Sequence, residues 1–362
     1  DYYLAEKSDK PILKLTKVAR NNSIPPEVSL IDMTKRLNFT KHRFISNQMI
    51  EQIKSTLGEK KQVLIFHNRR GTTNLTLCKN CGWIAECPKC FFFFIFFIDK
   101  HILQCHICGQ KISIPTSCPN CHEVDIIHKG IGTKLIESEL KKLFPDANIA
   151  RFDADNKNDE AVNARYEELY DGTIDIAIGT QVIAKGLDLP QLRMVGVIQA
   201  DAGLAMPDYN SGERIFQLLT QVIGRVGRNE HKTKVIVQTY QVNHKSITYS
   251  LNQDYEAFYK DALMERKRAN FPPFSHILKT TCAYKTEATA IKNAKNLAKL
   301  MEQNVNKKIV IFGPAPAFYE RQNDKYHWQI VLKSPKREYL LEAIKLIPKN
   351  NWQFELDPTG LL

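Results

Sequence analysis

Short apolar runs alternate with helical spacers through much of the chain. The strand-like runs are QVLIF, NIARFDAD, IDIAIGTQ, MVGVIQAD and KVIVQTY, each with an apolar core of the length that buried strands have. A polar-faced helix is predicted over residues 157–170, and another helix face is marked by Leu135, Ile136, Leu140, Leu143 and Phe144. This strand–helix alternation predicts an α/β fold with a doubly wound parallel sheet.

The pattern changes on either side of this region. Upstream, PILKLTKVAR and VSLIDM predict two strands joined by a turn-rich segment. Downstream of about residue 245, DYEAFYKDALMERKRANF predicts a helix that ends before Pro272, and residues 286–304 predict a second helix. KIVIFGPAPA and WQIVLKS are strand-like. We therefore expect a separate small α+β domain at the end of the chain.

Eight of the nine cysteines form four C-x-x-C pairs between Cys78 and Cys121. A two-residue gap lets both sulfurs of a pair reach one ion, and two pairs supply the four thiolates of a tetrahedral zinc site. A disulfide framework is the alternative, but such frameworks are typical of small secreted domains. The sequence therefore predicts two structural zinc ions in a segment inserted after the first strand of the sheet.

Loop lengths indicate which pairs share an ion. Five residues separate Cys81 from Cys87, which is short for a zinc ribbon, whereas fourteen separate Cys90 from Cys105. Closing the longer hairpin joins the inner pairs and brings the outer pairs together. The predicted ligands are Cys78, Cys81, Cys118 and Cys121 for one zinc ion, and Cys87, Cys90, Cys105 and Cys108 for the other. The nearby His101, His106 and His122 are expected to be bystanders.

The formal net charge of +12 favours a polyanionic partner such as nucleic acid, with a merely solubilising charge as the alternative. Paired thiolates and the single leftover Cys282 indicate a reducing, cytoplasmic compartment. The first ten residues lack the apolar core of a signal peptide. The longest apolar run, FFFFIFFI at residues 91–98, is too short to cross a bilayer as a helix. We interpret that run as a strand packed against a neighbouring domain.

Two further motifs have the residues to contact phosphate. Gly179-Thr180-Gln181 follows the strand IDIAI, and a small-residue turn there can bring backbone N–H groups and a hydroxyl close to phosphate. Arg225 and Arg228 are three residues apart on a predicted helix, so they share a face and suit a transferring phosphoryl group. An ordinary Gly-Thr turn and an exposed basic helix end are the respective alternatives.

Together these segments resemble the PriA family, the primosomal replication restart helicases of bacteria, which are superfamily 2 DNA helicases. The resemblance rests on the four cysteine pairs and on NRRG (68–71), GTQVIAKGLDLP (179–190), ADAGLAMPDYNSGER (200–214), QVIGRVGR (221–228), FPPF (271–274), FGPAPA (312–317) and LDPTGLL (356–362). It implies a RecA-like helicase lobe with an inserted double zinc module. It also implies a C-terminal domain that contributes to binding branched DNA.

The resemblance assigns roles to individual residues. The implied catalytic residues are Arg225, Arg228 and Gln221, and the implied nucleotide-binding residues are Gly224 and Asp188. The implied DNA contacts are Thr180, Gln181, Lys185, Arg69 and Arg70. The implied cofactors are two structural zinc ions and, in the full-length enzyme, ATP and Mg²⁺. The implied partners are forked and single-stranded DNA, primosome proteins and single-stranded DNA-binding protein, in the nucleoid-associated cytoplasm and without a membrane.

The resemblance also implies domain boundaries. These are residues 1–45 for the end of a first helicase lobe or a linker, 46–77 and 122–245 for the second lobe, 78–121 for the zinc module, and 246–362 for the C-terminal domain. The sequence contains no G-x-x-x-x-G-K-[ST] motif and no Asp-Glu-x-His box. We therefore expect the C-terminal portion of a 3′-to-5′ ATP-dependent DNA helicase of replication restart, inactive by itself. The alternative is a non-catalytic zinc-ribbon DNA-binding or scaffold protein built on a degenerate helicase lobe.

Overall fold

The computed structural model describes residues 2–13, 24–67, 75–97, 100–128, 131–152, 165–180, 189–206, 208–226 and 231–361. The strands are β1 Glu27–Asp32, β2 Gln62–Phe66, β3 Leu77–Cys78, β4 Ile95–Phe97, β5 Ile102–Gln104, β6 Lys111–Ser113, β7 Ile126–Ile127, β8 Ile149–Phe152, β9 Ile176–Gly179, β10 Leu192–Val197, β11 Lys234–Thr239, β12 His276–Tyr284, β13 Val310–Gln322, β14 Lys325–Ser334 and β15 Trp352–Leu356. The α-helices are α1 Tyr2–Lys7, α2 Asn47–Gly58, α3 Thr133–Leu143, α4 Tyr166–Tyr170, α5 Ser211–Val226, α6 Lys245–Leu251, α7 Tyr255–Arg268, α8 Glu287–Asn304 and α9 Arg337–Ile344.

Six parallel strands form the larger sheet, here called the parallel sheet, in the order β1-β11-β10-β2-β9-β8. All five residues of the inner strand β2 are buried. A strand covered on both faces is apolar along its whole length rather than alternating, which explains the run QVLIF. The parallel α/β architecture predicted from the strand–helix alternation is confirmed.

Helices cover both faces of the parallel sheet. On one face, α2 and α3 bury Met49, Ile53, Ile136 and Leu140 against the strands. On the other, α5 contributes the stripe that includes Ile215. These stripes follow the helical period, so each helix has one apolar side to bury. None of the described helices combines the length and apolar composition needed to cross a membrane.

The edge strand β1 lies within residues 1–45, the segment assigned above to the end of a first lobe or a linker. The structure places it in the parallel sheet, where it pairs with β11 from Glu27↔Lys234 to Asp32↔Thr239. The reason is non-local, because the partner strand lies about two hundred residues further along the chain. Residues 27–32 are therefore part of this sheet. The other domain boundaries remain predictions.

Four antiparallel strands form a second sheet, here called the terminal sheet, in the order β13-β14-β12-β15. Its two faces follow the alternation of side chains along β14. Ile330 and Leu332 belong to a core shared with α8 and α9, whereas Val331 between them belongs to a different cluster. That second cluster contains Phe94 and Leu103 of the cysteine-rich insert, which is residues 75–128. The terminal sheet is therefore packed between its own helices and the insert.

The aromatic run of the insert contacts both sheets. Phe92 and Phe94 are buried in the cluster that contains Val331 of the terminal sheet. Phe93 packs instead against the core of the parallel sheet. Phe91 is 49% exposed, and the Arg268 guanidinium carbon lies 5.1 Å from its ring centroid. Successive phenylalanines of this short stretch thus pack against two different apolar surfaces, one from each sheet.

A junction joins the start of α5, the end of α7 and the tail that follows β15. The Tyr209 hydroxyl donates to the Pro358 carbonyl at 2.7 Å, and the Tyr209 ring stacks on Phe271 with centroids 5.1 Å apart. The Arg266 guanidinium donates to a Glu213 carboxylate oxygen at 2.6 Å and to the Pro272 carbonyl at 3.0 Å. Arg266 thereby fixes the terminal part of the chain to the start of α5.

We expect Arg266→Ala to lower the free energy of unfolding by about 2 kcal/mol, because it removes a half-buried ion pair and leaves the Pro272 carbonyl without this donor. Urea unfolding followed by circular dichroism measures the change. Arg321→Ala is the control, since its partner Asp324 is 96% exposed and such pairs contribute little. Equal losses in the two variants would contradict the structural role of Arg266.

Candidate functional site

The eight paired cysteines come together as two groups of four. One group is Cys78, Cys81, Cys118 and Cys121, and the other is Cys87, Cys90, Cys105 and Cys108. Within each group all sulfur atoms lie within 4.8 Å of one another. These are the same two sets that the loop lengths indicate. We call them the outer cluster and the inner cluster, respectively.

Each cluster is built from two copies of one turn. In all four turns the N–H of the fourth residue after the first cysteine donates to the carbonyl of that cysteine, with distances of 2.8 to 3.0 Å. The N–H of the first cysteine donates in return to the carbonyl of the fifth residue after it, for example from Cys105 to Gln110 at 2.9 Å. This double closure holds the two sulfurs of a pair on the same side of the turn.

The sulfur geometry fits a tetrahedral metal ion. The Sγ–Sγ distances are 3.6 Å for Cys78–Cys121, Cys81–Cys118 and Cys87–Cys108. Four sulfurs about 2.3 Å from a zinc ion would be about 3.8 Å apart, whereas a disulfide needs about 2.05 Å. All nine cysteines are free thiols in the structure. The two clusters can therefore each hold one metal ion, and a set of four thiolates suits zinc.

The electrostatics of the clusters also suit a cation. Burial raises the pKa of the Cys78 thiol to about 12. In the inner cluster, hydrogen bonds from Cys105 and Cys90 lower the pKa of Cys108 to about 2, while hydrogen bonds with Cys105 and Cys108 raise that of Cys90. Four sulfurs this close cannot all carry negative charge without a compensating ion. A divalent cation supplies that compensation.

Two asparagines support the outer cluster, and the sequence motifs above do not single them out. Asn80 Nδ2 donates to Cys121 Sγ at 3.7 Å, and Asn120 Nδ2 donates to Cys81 Sγ at 3.4 Å. Each asparagine stands immediately before the second cysteine of its own pair and reaches the second cysteine of the other pair. The available signal was the repeat itself, because C-K-N-C and C-P-N-C share Asn at the same place. Such donors orient ligands and stabilise thiolate charge.

His106 is buried and binds the terminal sheet instead of a metal. Its Nδ1 lies 2.9 Å from the Pro316 carbonyl oxygen, and burial lowers the pKa of the imidazole, so a neutral ring donates this hydrogen bond. Within the described part of the chain, neither candidate metal group includes a histidine.

The candidate phosphate-contacting residues are only partly described. Thr180 follows β9 at the carboxyl edge of the parallel sheet, is almost fully buried, and donates its N–H to Phe152 O at 3.4 Å. Gln221 is exposed on α5, and Gly224 on the same helix faces open space. Arg225 lies in the last turn of α5. The side chain of Arg225 and the residues Arg69, Arg70, Gln181, Lys185, Asp188 and Arg228 lie outside the described part of the structure.

Two buried polar residues at the same sheet edge were not predicted. Asp201 accepts hydrogen bonds from the Thr239 hydroxyl and, at 2.9 Å, from the Tyr240 N–H, so it joins the ends of β10 and β11. Burial raises the pKa of this carboxyl group. His67 lies 2.7 Å from the Ile131 carbonyl oxygen, and burial lowers its pKa to about 4. His67 directly follows β2 and Asp201 lies four residues after the end of β10, so both are at the edge where parallel sheets concentrate polar chemistry.

Two protein family descriptions match the chain. "Helicase conserved C-terminal domain" matches residues 118–230, which include β8, β9 and β10, three of the six strands of the parallel sheet. "Primosomal protein N C-terminal domain" matches residues 267–359, which include the whole terminal sheet. The two matches follow each other along the chain without overlap.

Curated relatives match almost all of the chain. Replication restart protein PriA of Bacillus subtilis (strain 168) is 35% identical over 347 residues, which are 96% of this chain and 43% of that protein. The PriA of Borreliella burgdorferi is 34% identical over 360 residues, 97% of this chain and 54% of its own length. The chain thus spans about half the length of the curated relatives it matches.

Among solved structures, the Hef helicase domain of Pyrococcus furiosus aligns with 57% of this chain and 27% of its own at 14% identity. Its TM-score is 0.27, which is too low to establish a common fold. The identification therefore rests on the sequence relatives and on the two matched domains. The cysteine clusters can hold two metal ions, and over nearly its whole length this chain matches a portion, about half, of replication restart protein PriA.

Proposed function

We propose that the chain is part of an ATP-dependent 3′-to-5′ DNA helicase that recognises stalled or branched replication forks and restarts replication through primosome assembly. The observation that carries this proposal is the match of nearly the whole chain to proteins named for replication restart. The adjacent helicase and primosomal domain matches support it. A non-catalytic zinc-ribbon scaffold is not favoured, since a scaffold has no need of the two-arginine motif.

The nucleotide site is proposed to lie between this lobe and a partner lobe. Arg225 and Arg228 would reach the transferring phosphoryl group, where a forked guanidinium stabilises developing charge. Gln221 would act with them, while Gly224 and Asp188 would contact the nucleotide and its Mg²⁺. The open space in front of Gly224 is compatible with close approach of a ligand.

Both metal ions are proposed to be structural zinc. The outer cluster would hold one ion and the inner cluster the other, each through four cysteine thiolates, and no ligand position would remain open for catalysis. Bound zinc would cross-link the insert, which otherwise has strands of only two or three residues. The chain's own contribution is the paired turns and the two asparagine donors.

The proposed DNA contacts fall into two groups. By resemblance, Thr180, Gln181, Lys185, Arg69 and Arg70 would follow the DNA backbone at the carboxyl edge of the parallel sheet. The second group is on α8, where Lys292, Lys295 and Lys299 are exposed and recur at i, i+3 and i+7. Three cations on one helix face suit a row of phosphates, and the net charge of +12 fits such a partner.

Replacing Lys292, Lys295 and Lys299 by Glu is expected to weaken binding to forked DNA by about ten-fold or more. The slope of log affinity against log salt should become shallower by about 2 to 3, because up to three phosphate contacts are lost. Fluorescence anisotropy with labelled forked DNA, across a salt series, measures both.

The matched control replaces three exposed lysines on the side of the parallel sheet that α2 and α3 cover: Lys54, Lys60 and Lys134. Replacing these three lysines by Glu makes the same change in net charge at a site other than α8, and it should leave most of the affinity for forked DNA. Equal weakening by both triple variants would show that only net charge matters, which would contradict a specific contact through α8.

Several finer points belong to the same proposal. Primosome proteins and single-stranded DNA-binding protein are the proposed protein partners, and the nucleoid-associated cytoplasm is the proposed location. The proposed domain division is residues 46–77 and 122–245 for the helicase lobe together with β1, 78–121 for the zinc module, and 246–362 for the terminal domain. The helicase match at 118–230 supports the second lobe segment, and the primosomal match at 267–359 supports the terminal domain.

A further inference from the structure

The four cysteine turns share one backbone conformation but not one residue type. The fourth residue after the first cysteine has positive φ in every turn: 75° at Gly82, 59° at Phe91, 75° at Gly109 and 63° at His122. Phe91 and His122 show that a side chain can occupy this conformation here. Left-handed φ therefore does not by itself explain why the other two positions are glycine.

Close approach by another part of the chain explains the two glycines. A Cβ atom on Gly82 would overlap the Tyr240 carbonyl oxygen, which belongs to the end of the parallel sheet. A Cβ atom on Gly109 would lie 3.0 Å from the Pro314 carbonyl oxygen, which belongs to β13 of the terminal sheet. Each glycine thus marks the point where one metal cluster rests on a neighbouring sheet, and the two sheets differ.

The outer cluster has further contacts with the parallel sheet. Gln241 Nε2 donates to the Gly82 carbonyl, and Arg36 pairs with Asp125 beside the last cysteine pair. Leu77 and Ile84 form a small core with the ring of Tyr240. The N–H of Tyr240 is in turn held by the buried carboxylate of Asp201. The outer cluster therefore abuts the strand ends where β10 and β11 are joined.

The inner cluster has the equivalent contacts with the terminal sheet. Gln329 Nε2 donates to the His106 carbonyl at 2.9 Å, and His106 donates to the Pro316 carbonyl at 2.9 Å. Ile107, which lies between Cys105 and Cys108, is buried in the core that contains Val331. At the rim, Lys100 pairs with Glu287 at 2.7 Å and with Glu320 at 3.2 Å.

We propose that the two metal sites have separate docking partners: the outer cluster seats the insert on the parallel sheet through Gly82, and the inner cluster seats the terminal sheet on the insert through Gly109. The metals then control different parts of the molecule. Loss of the inner ion frees the terminal sheet, whereas loss of the outer ion frees the insert from the strand ends at Asp201. This inference rests on the proposed binding of zinc by both clusters.

The test compares Gly82→Ala with Gly109→Ala in the whole chain by hydrogen–deuterium exchange. His122→Ala is the matched control. His122 occupies the equivalent position of another cysteine turn, and that turn already holds a side chain in the same backbone conformation. Gly109→Ala should speed exchange about ten-fold or more in β13 and β14, with little change at Tyr240 and Gln241. Gly82→Ala should speed exchange at Tyr240 and Gln241, with little change in β13 and β14. His122→Ala should change exchange in neither region.

A second pair of variants keeps the test decisive if an alanine variant does not fold. Gln241→Met removes the side-chain bond to Gly82, and Gln329→Met removes the bond to His106, so they should reproduce the two separate exchange patterns. Zinc content, measured by native mass spectrometry, should stay at that of the unmodified chain in all these variants. Absence of zinc from the unmodified chain would contradict the proposed metal binding itself. With zinc present, acceleration of both regions by either variant, or of neither, would overturn the separate docking roles.

Discussion

Replacing Cys87 by serine is expected to reduce the zinc bound by the chain from about two ions to about one, and to destabilise the insert and the terminal sheet. Cys87 is fully buried, and its sulfur lies 3.6 Å from that of Cys108. A serine hydroxyl ionises far less readily than a thiol and is a poor ligand for zinc, so three thiolates would remain. Because metal binding is coupled to folding, the free energy of unfolding should fall by on the order of several kcal/mol.

Native mass spectrometry for zinc content and urea unfolding together measure this effect. Cys282→Ser is the control, since Cys282 is buried in the terminal sheet, outside both clusters, and its sulfur approaches the Ala290 carbonyl. That control should keep about two zinc ions. Two ions retained by Cys87→Ser would contradict the assignment of this cysteine to the inner cluster.

The cysteine groups could be predicted because the signal is local. A C-x-x-C pair forms its own turn, and a hairpin of fourteen residues has few ways to close. The partners of the clusters could not be predicted in the same way. Gly82 and Tyr240 are far apart in sequence, as are Gly109 and Pro314, and apolar pattern does not encode which carbonyl approaches which turn. The only sequence signal of these contacts is that two of the four equivalent turns have glycine at the position that another part of the chain approaches closely.

The parallel sheet illustrates the same limit. Inner strands such as β2 are buried on both faces and read clearly as apolar runs. The edge strand β1 has a largely half-buried pattern, so its sequence does not show that it belongs to the same sheet as β2. Its place depends on a partner, β11, that lies about two hundred residues further along the chain. Pairing over such a separation is decided by the assembled core rather than by local sequence.

The aromatic run shows a pattern that predicts packing without specifying the partner. The strand predicted for this run is only partly present in the described residues, because β4 spans Ile95–Phe97 and Phe93 forms an isolated bridge with Glu86. In such an extended stretch successive side chains point to opposite sides, so an uninterrupted apolar run needs apolar surfaces on both. The structure supplies them, because Phe92 and Phe94 pack towards the terminal sheet and Phe93 towards the parallel sheet. The sequence predicted one neighbouring domain, whereas the insert lies between two.

Arg225→Ala is expected to lower the rate of DNA-stimulated ATP hydrolysis by about 10³-fold in a protein that joins this chain to a phosphate-binding first lobe. The proposed reason is the loss of a guanidinium that stabilises charge on the transferring phosphoryl group. DNA binding should stay within about two-fold, since the proposed DNA contacts lie elsewhere, at the carboxyl edge of the parallel sheet and on α8.

Arg225→Lys is the matched control for charge. Lysine keeps the cation but loses the planar pair of donors, so most of the hydrolysis should still be lost. A steady-state phosphate-release assay with saturating single-stranded DNA measures both variants. Hydrolysis by Arg225→Ala at the rate of the unmodified protein would show that this arginine does not act at the phosphoryl group.

Unwinding of a forked DNA duplex most directly tests whether the chain is part of a replication restart motor. The protein that joins this chain to a first lobe is mixed with a fork labelled on both strands, with ATP and Mg²⁺, and strand separation is followed by fluorescence. We predict separation that requires ATP, proceeds 3′ to 5′, and is lost in Arg225→Ala. No unwinding of any fork by a folded protein that binds DNA and carries its two zinc ions would contradict the motor function.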